Sequence, residues 1–104
     1  MVDYIGGLRE DKELIYGNKD ILIYGTEGYG EKIYRNLQLF GRHKAVIAFI
    51  NNVHNEKKML YKKAVIHMDT AVNICTDAII CVGEEKNINE RDIELLSSAG
   101  GGIH

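Results

Sequence analysis

Four short apolar runs constrain the fold of this chain more than any other feature of its sequence. The runs are continuous and rich in β-branched residues, and they predict strands near residues 21–25, 45–50, 64–67 and 78–82. Strands that are covered on both faces have this pattern, whereas a strand with one face in water alternates apolar and polar residues. The runs therefore predict a parallel sheet that lies between two layers of helices.

Helical patterns separate the predicted strands. One helix face carries apolar residues spaced by four, four and three positions, namely Tyr29, Ile33, Leu37 and Phe40. Gly41 follows them as a typical C-terminal stop. A short helix is predicted between Asp69 and Asn73, and a longer one after the fourth strand, where Asn87 and Glu90 resemble a capping box. The apolar stripe of that longer helix consists of Ile88, Ile93 and Leu96.

Strand and helix units in this order predict an open α/β sheet of four to five strands with helices on both faces. Right-handed crossovers place the first strand in the interior and give the order 3-2-1-4. Residues 101–104 are a candidate fifth strand, and a chain that stops there suggests a fragment of a longer protein. No linker is evident, so residues 1–104 are expected to form a single domain, with an N-terminal helix and lead-in at 1–19.

Charge and cysteine content exclude several classes of protein. Thirteen Lys and Arg against fifteen Asp and Glu give a formal charge of −2, which disfavours a nucleic-acid-binding surface. No apolar run approaches 18 residues, so no membrane span is predicted. Cys75 and Cys81 are too few for a disulfide framework, and we expect buried, reduced thiols in a cytoplasmic protein. A metal site built from His67 and both cysteines lacks short-spaced ligand pairs and is not predicted.

The segment ILIYGTEGYGEKI, residues 21–33, joins a buried strand to an amphipathic helix through a glycine-rich turn. A helix N-terminus offers free N–H groups and a positive dipole end to phosphates. Glycines in such a turn allow a tight bend, close backbone approach to a pyrophosphate and close packing of helix on strand. Gly25 fits the first role and Gly30 the third, whereas Glu27 occupies the second position and Gly28 comes one residue late.

Two interpretations of this turn stay open. It binds a nucleotide, or its glycines serve only the packing of the strand against the helix. Glu27 places a carboxylate where the backbone should approach an anion, and Asn51 stands where an acid usually binds ribose hydroxyls.

Four segments carry a family resemblance: KDILIYGTEGYGEKIYRNL, AVIAFINN, AVIHMDTA and DAIICVG. From residue 19 to about 100 the chain resembles small Rossmann-like domains of bacterial sugar-modifying enzymes. Examples are the N-terminal domains of sugar acyltransferases and the nucleotide-binding portion of sugar-nucleotide dehydratases. The resemblance implies a single Rossmann-like domain, with Gly25, Thr26, Tyr29 and Gly30 on the phosphate side of a ligand and Asn51 on the ribose side. Glu27 and Gly28 belong to the same turn, and the chain departs from the family pattern at Glu27 and Asn51.

No catalytic residues are predicted. The chain lacks a tyrosine with a lysine four positions on, a P-loop Gly-Lys-Ser/Thr and a G-x-S-x-G elbow. The resemblance implies a nucleotide- or nucleotide-sugar-binding module of a polysaccharide-biosynthesis protein, and the implied ligands are NAD(P) or a nucleotide sugar. Its expected partners are a second copy of the chain or a fused transferase domain. The alternative is a degenerate scaffold that serves only assembly or oligomerisation.

Overall fold

The computed structural model describes residues 17–26, 29–51, 59–82 and 89–103. The N-terminal helix expected within residues 1–19 lies outside these ranges, except for residues 17–19, which have no regular structure. None of the helices in the described ranges has the length and apolar character needed to cross a membrane.

Strands and helices alternate along most of the described chain, as the sequence predicts. In chain order the elements are β1 (Ile21–Tyr24), α1 (Tyr29–Leu39), a 3₁₀ helix (Arg42–Ala45), β2 (Val46–Ile50), β3 (Met59–Leu60), β4 (Lys63–Ile66), α2 (Met68–Ile74), β5 (Ile79–Val82), α3 (Glu90–Ser98) and β6 (Gly102–Ile103). The fold class is therefore α/β, as expected.

The strands form one mixed sheet in the order β3-β4-β2-β1-β5-β6. Every pairing is parallel except that of β3 with β4, so the predicted parallel pairing of the main strands is confirmed. The candidate strand at residues 101–104 is also confirmed, because β6 pairs with β5. The predicted count of four to five strands and the sheet order 3-2-1-4 are wrong for the complete sheet, because β3 adds an edge that the prediction lacked. Its two residues, Met59 and Leu60, are too few to show any periodicity.

Helices cover both faces of the sheet. On one face α1 packs its Ile33, Tyr34 and Leu37 on apolar side chains of β1, β2 and β5. On the other face, buried residues of α2 and α3, Ala71 and Leu96, pack on the opposite side chains of the same strands. All four residues of β1 are buried, which explains why its sequence is a continuous apolar run.

The predicted C-terminal end of α1 agrees with the structure, whereas the predicted N-terminal end of α3 does not. α1 ends at Leu39, and Gly41 has a φ of 70°, a left-handed conformation that favours glycine. The predicted start of the last helix at Asn87 is wrong, because α3 begins at Glu90 with Asn89 as its N-cap. The side chain of Asn89 accepts a hydrogen bond from the backbone N–H of Arg91 at 3.0 Å. Two asparagines so close together offer the same cap chemistry, and the sequence does not distinguish them.

Candidate functional site

The glycine turn and Asn51 lie at the same edge of the sheet. β1 and β2 are parallel neighbours with Tyr24 opposite Ile50, so Gly25 and Asn51 directly follow the paired carboxyl ends. The N–H of Gly25 donates to the carbonyl oxygen of Ile50 at 2.9 Å. The N–H of Asn51 in turn donates to the carbonyl oxygen of Ile66 at 2.8 Å. These bonds continue the ladder beyond the strands and hold the edge of β1, β2 and β4 in place.

Gly25 and Gly30 make the turn between β1 and α1 very tight. Gly25 has a φ of 111°, which side-chain-bearing residues rarely adopt. A Cβ on Gly30 would overlap the carbonyl oxygen of Gly25 and lie 2.7 Å from its carbonyl carbon. Only glycine at position 30 lets α1 begin this close to the strand, so the packing role expected for Gly30 is confirmed. Both interpretations of the turn contain this packing, and it does not decide between them.

Of the other residues of the predicted site, the structure describes three and leaves two outside its described ranges. Thr26 is fully buried directly after Gly25, and Tyr29 is the first residue of α1. Asn51 is half-buried at the end of β2. Glu27 and Gly28 lie outside the described residues.

The turn follows β1, the strand on either side of which the two halves of the sheet are added. From β1 the chain passes through α1 to β2 on one side, whereas β5 and β6 follow on the other side. α1 and α3 consequently cover opposite faces. In open α/β sheets, ligands bind outside the carboxyl ends of the strands at such a point.

A buried tyrosine joins the end of β1 to the beginning of α3. Tyr24 is 1% exposed, and its hydroxyl donates to Asp92 Oδ2 at 2.8 Å. The same hydroxyl accepts the backbone N–H of Asn89 at 3.3 Å. In a capping box the side chain at the third helical position, here Asp92, bonds the N-cap N–H directly. Here the Tyr24 hydroxyl bridges the Asn89 N–H and the Asp92 carboxylate by two hydrogen bonds, and these bonds connect the start of α3 to the central strand.

The interpretation of the sequence missed this connection. Tyr24 ends an otherwise aliphatic run, and Asn89 and Asp92 have capping-box spacing, so each signal is present in the sequence. Nothing in the sequence links two signals that are 68 residues apart.

The two helix N-termini near this edge differ in their electrostatics. The first turn of α3 contains two acids, Glu90 and Asp92, and the first turn of α1 contains one, Glu31. These charges complement the positive ends of both helix dipoles. At α3, the Asn89 and Arg91 N–H groups donate to Tyr24 and Asn89 respectively. With two acids in its first turn and its cap donors already bonded, the N-terminus of α3 disfavours an anion more than that of α1 does.

In the described part of the chain, cysteine and histidine side chains do not form a cluster at this edge. Cys75 and Cys81 are both buried and form no disulfide, so the predicted burial is confirmed. His67 is exposed at the N-cap position of α2. Across the described ranges, no three metal-ligating side chains lie close enough together to hold a metal ion.

A cavity of about 330 Å³ lies at the opposite end of the strands. Its lining comes from the segments that precede β1 and β5 together with the last residue of α2, and it includes Asp20 and Asp77. No residue of the predicted site lines it, so it is separate from the glycine turn.

Comparisons of the chain with protein-family models, with curated proteins and with solved structures found no match. The candidate site therefore rests on its own geometry. That geometry consists of a tight glycine turn at the end of the central strand, an amide one strand away, and a second helix fastened by Tyr24.

Proposed function

We propose that the carboxyl edge of this sheet binds a nucleotide or a nucleotide sugar, as a Rossmann-like module of a bacterial sugar-modifying protein. The position of the glycine turn carries the proposal, because it follows the carboxyl end of the central strand β1 at the point from which the sheet extends in both directions. It supports a phosphate position at the first turn of α1, where helix N–H groups and the dipole favour an anion.

The chemistry of the neighbouring groups supports the same orientation of the ligand. The first turn of α3 contains two acids against one, Glu31, in that of α1, and the cap donors of α3 are already bonded, so the N-terminus of α1 is the better position for a phosphate. Asn51 lies beyond the adjacent strand, where an amide can hydrogen-bond a ribose hydroxyl. The proposed role is binding, since the described residues of this edge contain no arrangement of catalytic side chains that supports a reaction.

Calorimetric titration of the chain and of the Glu27→Gly variant tests this proposal. The ligands are NAD, NADP and a uridine diphosphate sugar. If a nucleotide binds, Glu27→Gly removes an opposing carboxylate and should tighten binding roughly tenfold, or ~1.4 kcal/mol. The gain should shrink at high salt, because part of it is screened charge repulsion. Glu90→Gly makes the same substitution at the start of α3 and should leave the affinity unchanged.

Two outcomes contradict the proposal. Absence of binding to either protein at millimolar ligand favours the alternative, a degenerate scaffold that serves assembly or oligomerisation. Binding that weakens in Glu27→Gly indicates a ligand that uses the carboxylate, such as a sugar hydroxyl, in place of a phosphate at the turn.

A further inference from the structure

Charge is divided between two sides of this molecule. Residues 32–50 and 59–66 contain six lysines and arginines and no acid, and they form most of α1, the 3₁₀ helix, β2 and the hairpin of β3 and β4. The helices α2 and α3, which cover the opposite face of the sheet from α1, contain four acids and one cation, Arg91. The α1 side is therefore basic and the α2–α3 side acidic, although the chain has a formal charge of −2.

Four cations on the α1 side form what we call the basic surface: Arg35, Lys44, Lys62 and Lys63. The Nε of Arg35 donates to the hydroxyl of Tyr61 at 3.3 Å, and Lys62 follows Tyr61 in the hairpin turn. Lys63 lies opposite Leu60, which packs against the core on the α1 side, so both side chains are on that face of the sheet. The hairpin therefore places two lysines beside the arginine of α1.

The 3₁₀ helix brings Lys44 to the same region. His43, its neighbour in the chain, packs edge-on against Tyr34 with ring centroids 5.9 Å apart. Tyr34 in turn stacks on Tyr61 of the hairpin turn, with centroids 4.5 Å and planes 12° apart. These aromatic contacts hold the 3₁₀ helix and the hairpin turn against α1, so the cations of the basic surface project from a fixed backbone.

The basic surface carries charge that its own surroundings do not neutralise. Arg35 bonds to a neutral hydroxyl, and within the described part of the chain none of the four cations forms an ion pair. Three of the four are exposed, and Lys63 is half-buried. Concentrated charge of one sign attracts a partner of the opposite sign, so an occupant of this surface should be anionic.

A large apolar side chain is exposed beside these cations. Leu39, the last residue of α1, is 67% exposed and comes four residues after Arg35, so the two lie on the same helix face. A nucleic-acid backbone matches the cations but offers no apolar group to this leucine. The surface of an anionic bilayer accommodates both, because its headgroups attract lysine and arginine and its acyl chains accept apolar side chains.

We propose that the basic surface binds a lipid bilayer that contains anionic lipids. The four cations contact the headgroups, and Leu39 enters the boundary between headgroups and acyl chains. Lysine suits this position, because its long stem lies along apolar groups while its ammonium reaches the headgroups. The acidic side, α2 and α3, then faces away from the bilayer, so the division of charge also orients the protein. Lys44 and Lys63 lie at the amino ends of β2 and β4, which leaves the carboxyl edge of the sheet accessible.

Co-sedimentation of the full chain with vesicles tests the proposal. The vesicles are phosphatidylcholine alone or an equal mixture of phosphatidylcholine and phosphatidylserine. We expect binding to the mixture to be tighter by more than about tenfold, and to weaken when salt screens the charges. Lys44→Glu and Lys62→Glu should each weaken binding to the mixture by roughly tenfold. Arg91→Glu is the control, because it makes the same charge change at an exposed residue of α3 and should alter binding less than about twofold.

A second pair of variants separates insertion into the bilayer from charge attraction alone. Leu39→Ser removes the exposed apolar side chain, and binding to the mixture should fall by roughly fivefold or more. Leu95→Ser is the matched control, because Leu95 is 45% exposed on α3, on the side that faces away. Its effect should stay within about twofold. Both leucines are exposed, and urea unfolding checks that each variant is folded.

Several outcomes overturn the proposal. One is absence of binding to the mixed vesicles, and another is equal weakening by the basic-surface variants and by Arg91→Glu. Unchanged binding of Leu39→Ser also overturns it, because charge alone would then explain the attraction. A single-stranded DNA oligonucleotide that binds more tightly than the vesicles, at equal anionic charge, assigns the surface to a nucleic acid in place of a bilayer.

Discussion

Gly30 lies where the first turn of α1 meets the end of β1. Its φ is not left-handed, so an alanine there is unfavourable only because its Cβ meets the backbone of Gly25. Backbone atoms at a buried strand end cannot move aside easily, and Gly30→Ala should destabilise the protein by about 3 kcal/mol, at the high end of overpacking. Gly41→Ala is the matched control, because nothing lies within 4 Å of its Cβ and only its φ of 70° is unfavourable. Its cost should be about 1–2 kcal/mol in urea unfolding. Equal costs would mean that α1 does not pack on Gly25.

Lys62 has a strained backbone in the turn between β3 and β4. Its φ of 65° is left-handed, and glycine is the residue that type I′ turns prefer at this second position. Lys62→Gly removes about 1–2 kcal/mol of backbone strain and adds about 0.5–1 kcal/mol of lost chain entropy. The free energy of unfolding should therefore rise by about 0.5–1 kcal/mol. Lys62→Ala removes the same charge but keeps the Cβ, so a gain of similar size in that variant would disprove the backbone explanation.

At the scale of the elements, the Tyr24 hydroxyl is what fastens α3 to the central strand. Tyr24→Phe leaves Asp92 and the Asn89 N–H without this partner, and one of the two lost bonds involves a carboxylate. Thermal or urea unfolding should show a loss of about 1.5–3 kcal/mol. Tyr34→Phe is the control, because no hydrogen bond of the Tyr34 hydroxyl is found within the described part of the chain. Its cost should be under about 0.5 kcal/mol.

Asp92→Ala completes a double-mutant cycle with Tyr24→Phe. Because the two groups form one network, their effects should be non-additive by about 1 kcal/mol. Additive effects would show that the hydroxyl and the carboxylate act independently, and that Tyr24 contributes only by packing.

The elements that the sequence predicts are those whose burial leaves a local pattern. β1, β2 and β5 are apolar runs because helices cover both of their faces, and Gly41 ends α1 through its own backbone preference. β4 is apolar at Ala64, Val65 and Ile66 although Ala64 is exposed. β3 leaves no such pattern, because its two residues are held by the hairpin turn and by the stacking of Tyr61 on Tyr34. A shift in register between β1 and β2 likewise leaves Ile47 39% exposed inside an apolar run.

The same distinction applies to the candidate site. Gly25 and Gly30 are recognisable from the sequence because the strand–turn–helix geometry is local. The bond from Tyr24 to Asp92 depends on how distant segments pack, and no single-sequence pattern contains that information. Local geometry therefore identifies the phosphate side of the proposed site, whereas the tertiary structure is needed to see how α3 borders it.

At the scale of the whole molecule, stability should be graded from the centre of the sheet to its edges. β1 is paired on both sides and buried on both faces, whereas β3 and β6 are two-residue edge strands. Native-state hydrogen exchange should therefore show the slowest amides in β1 and in the strands that flank it, β2 and β5. These amides should exchange only by global unfolding, at a free energy of about 5–15 kcal/mol for a domain of this kind. The amides of β3 and β6 should exchange through smaller openings that depend little on denaturant. If the amides of β3 were as strongly protected as those of β1, the gradient would be contradicted, because β3 would then open only when the whole domain unfolds.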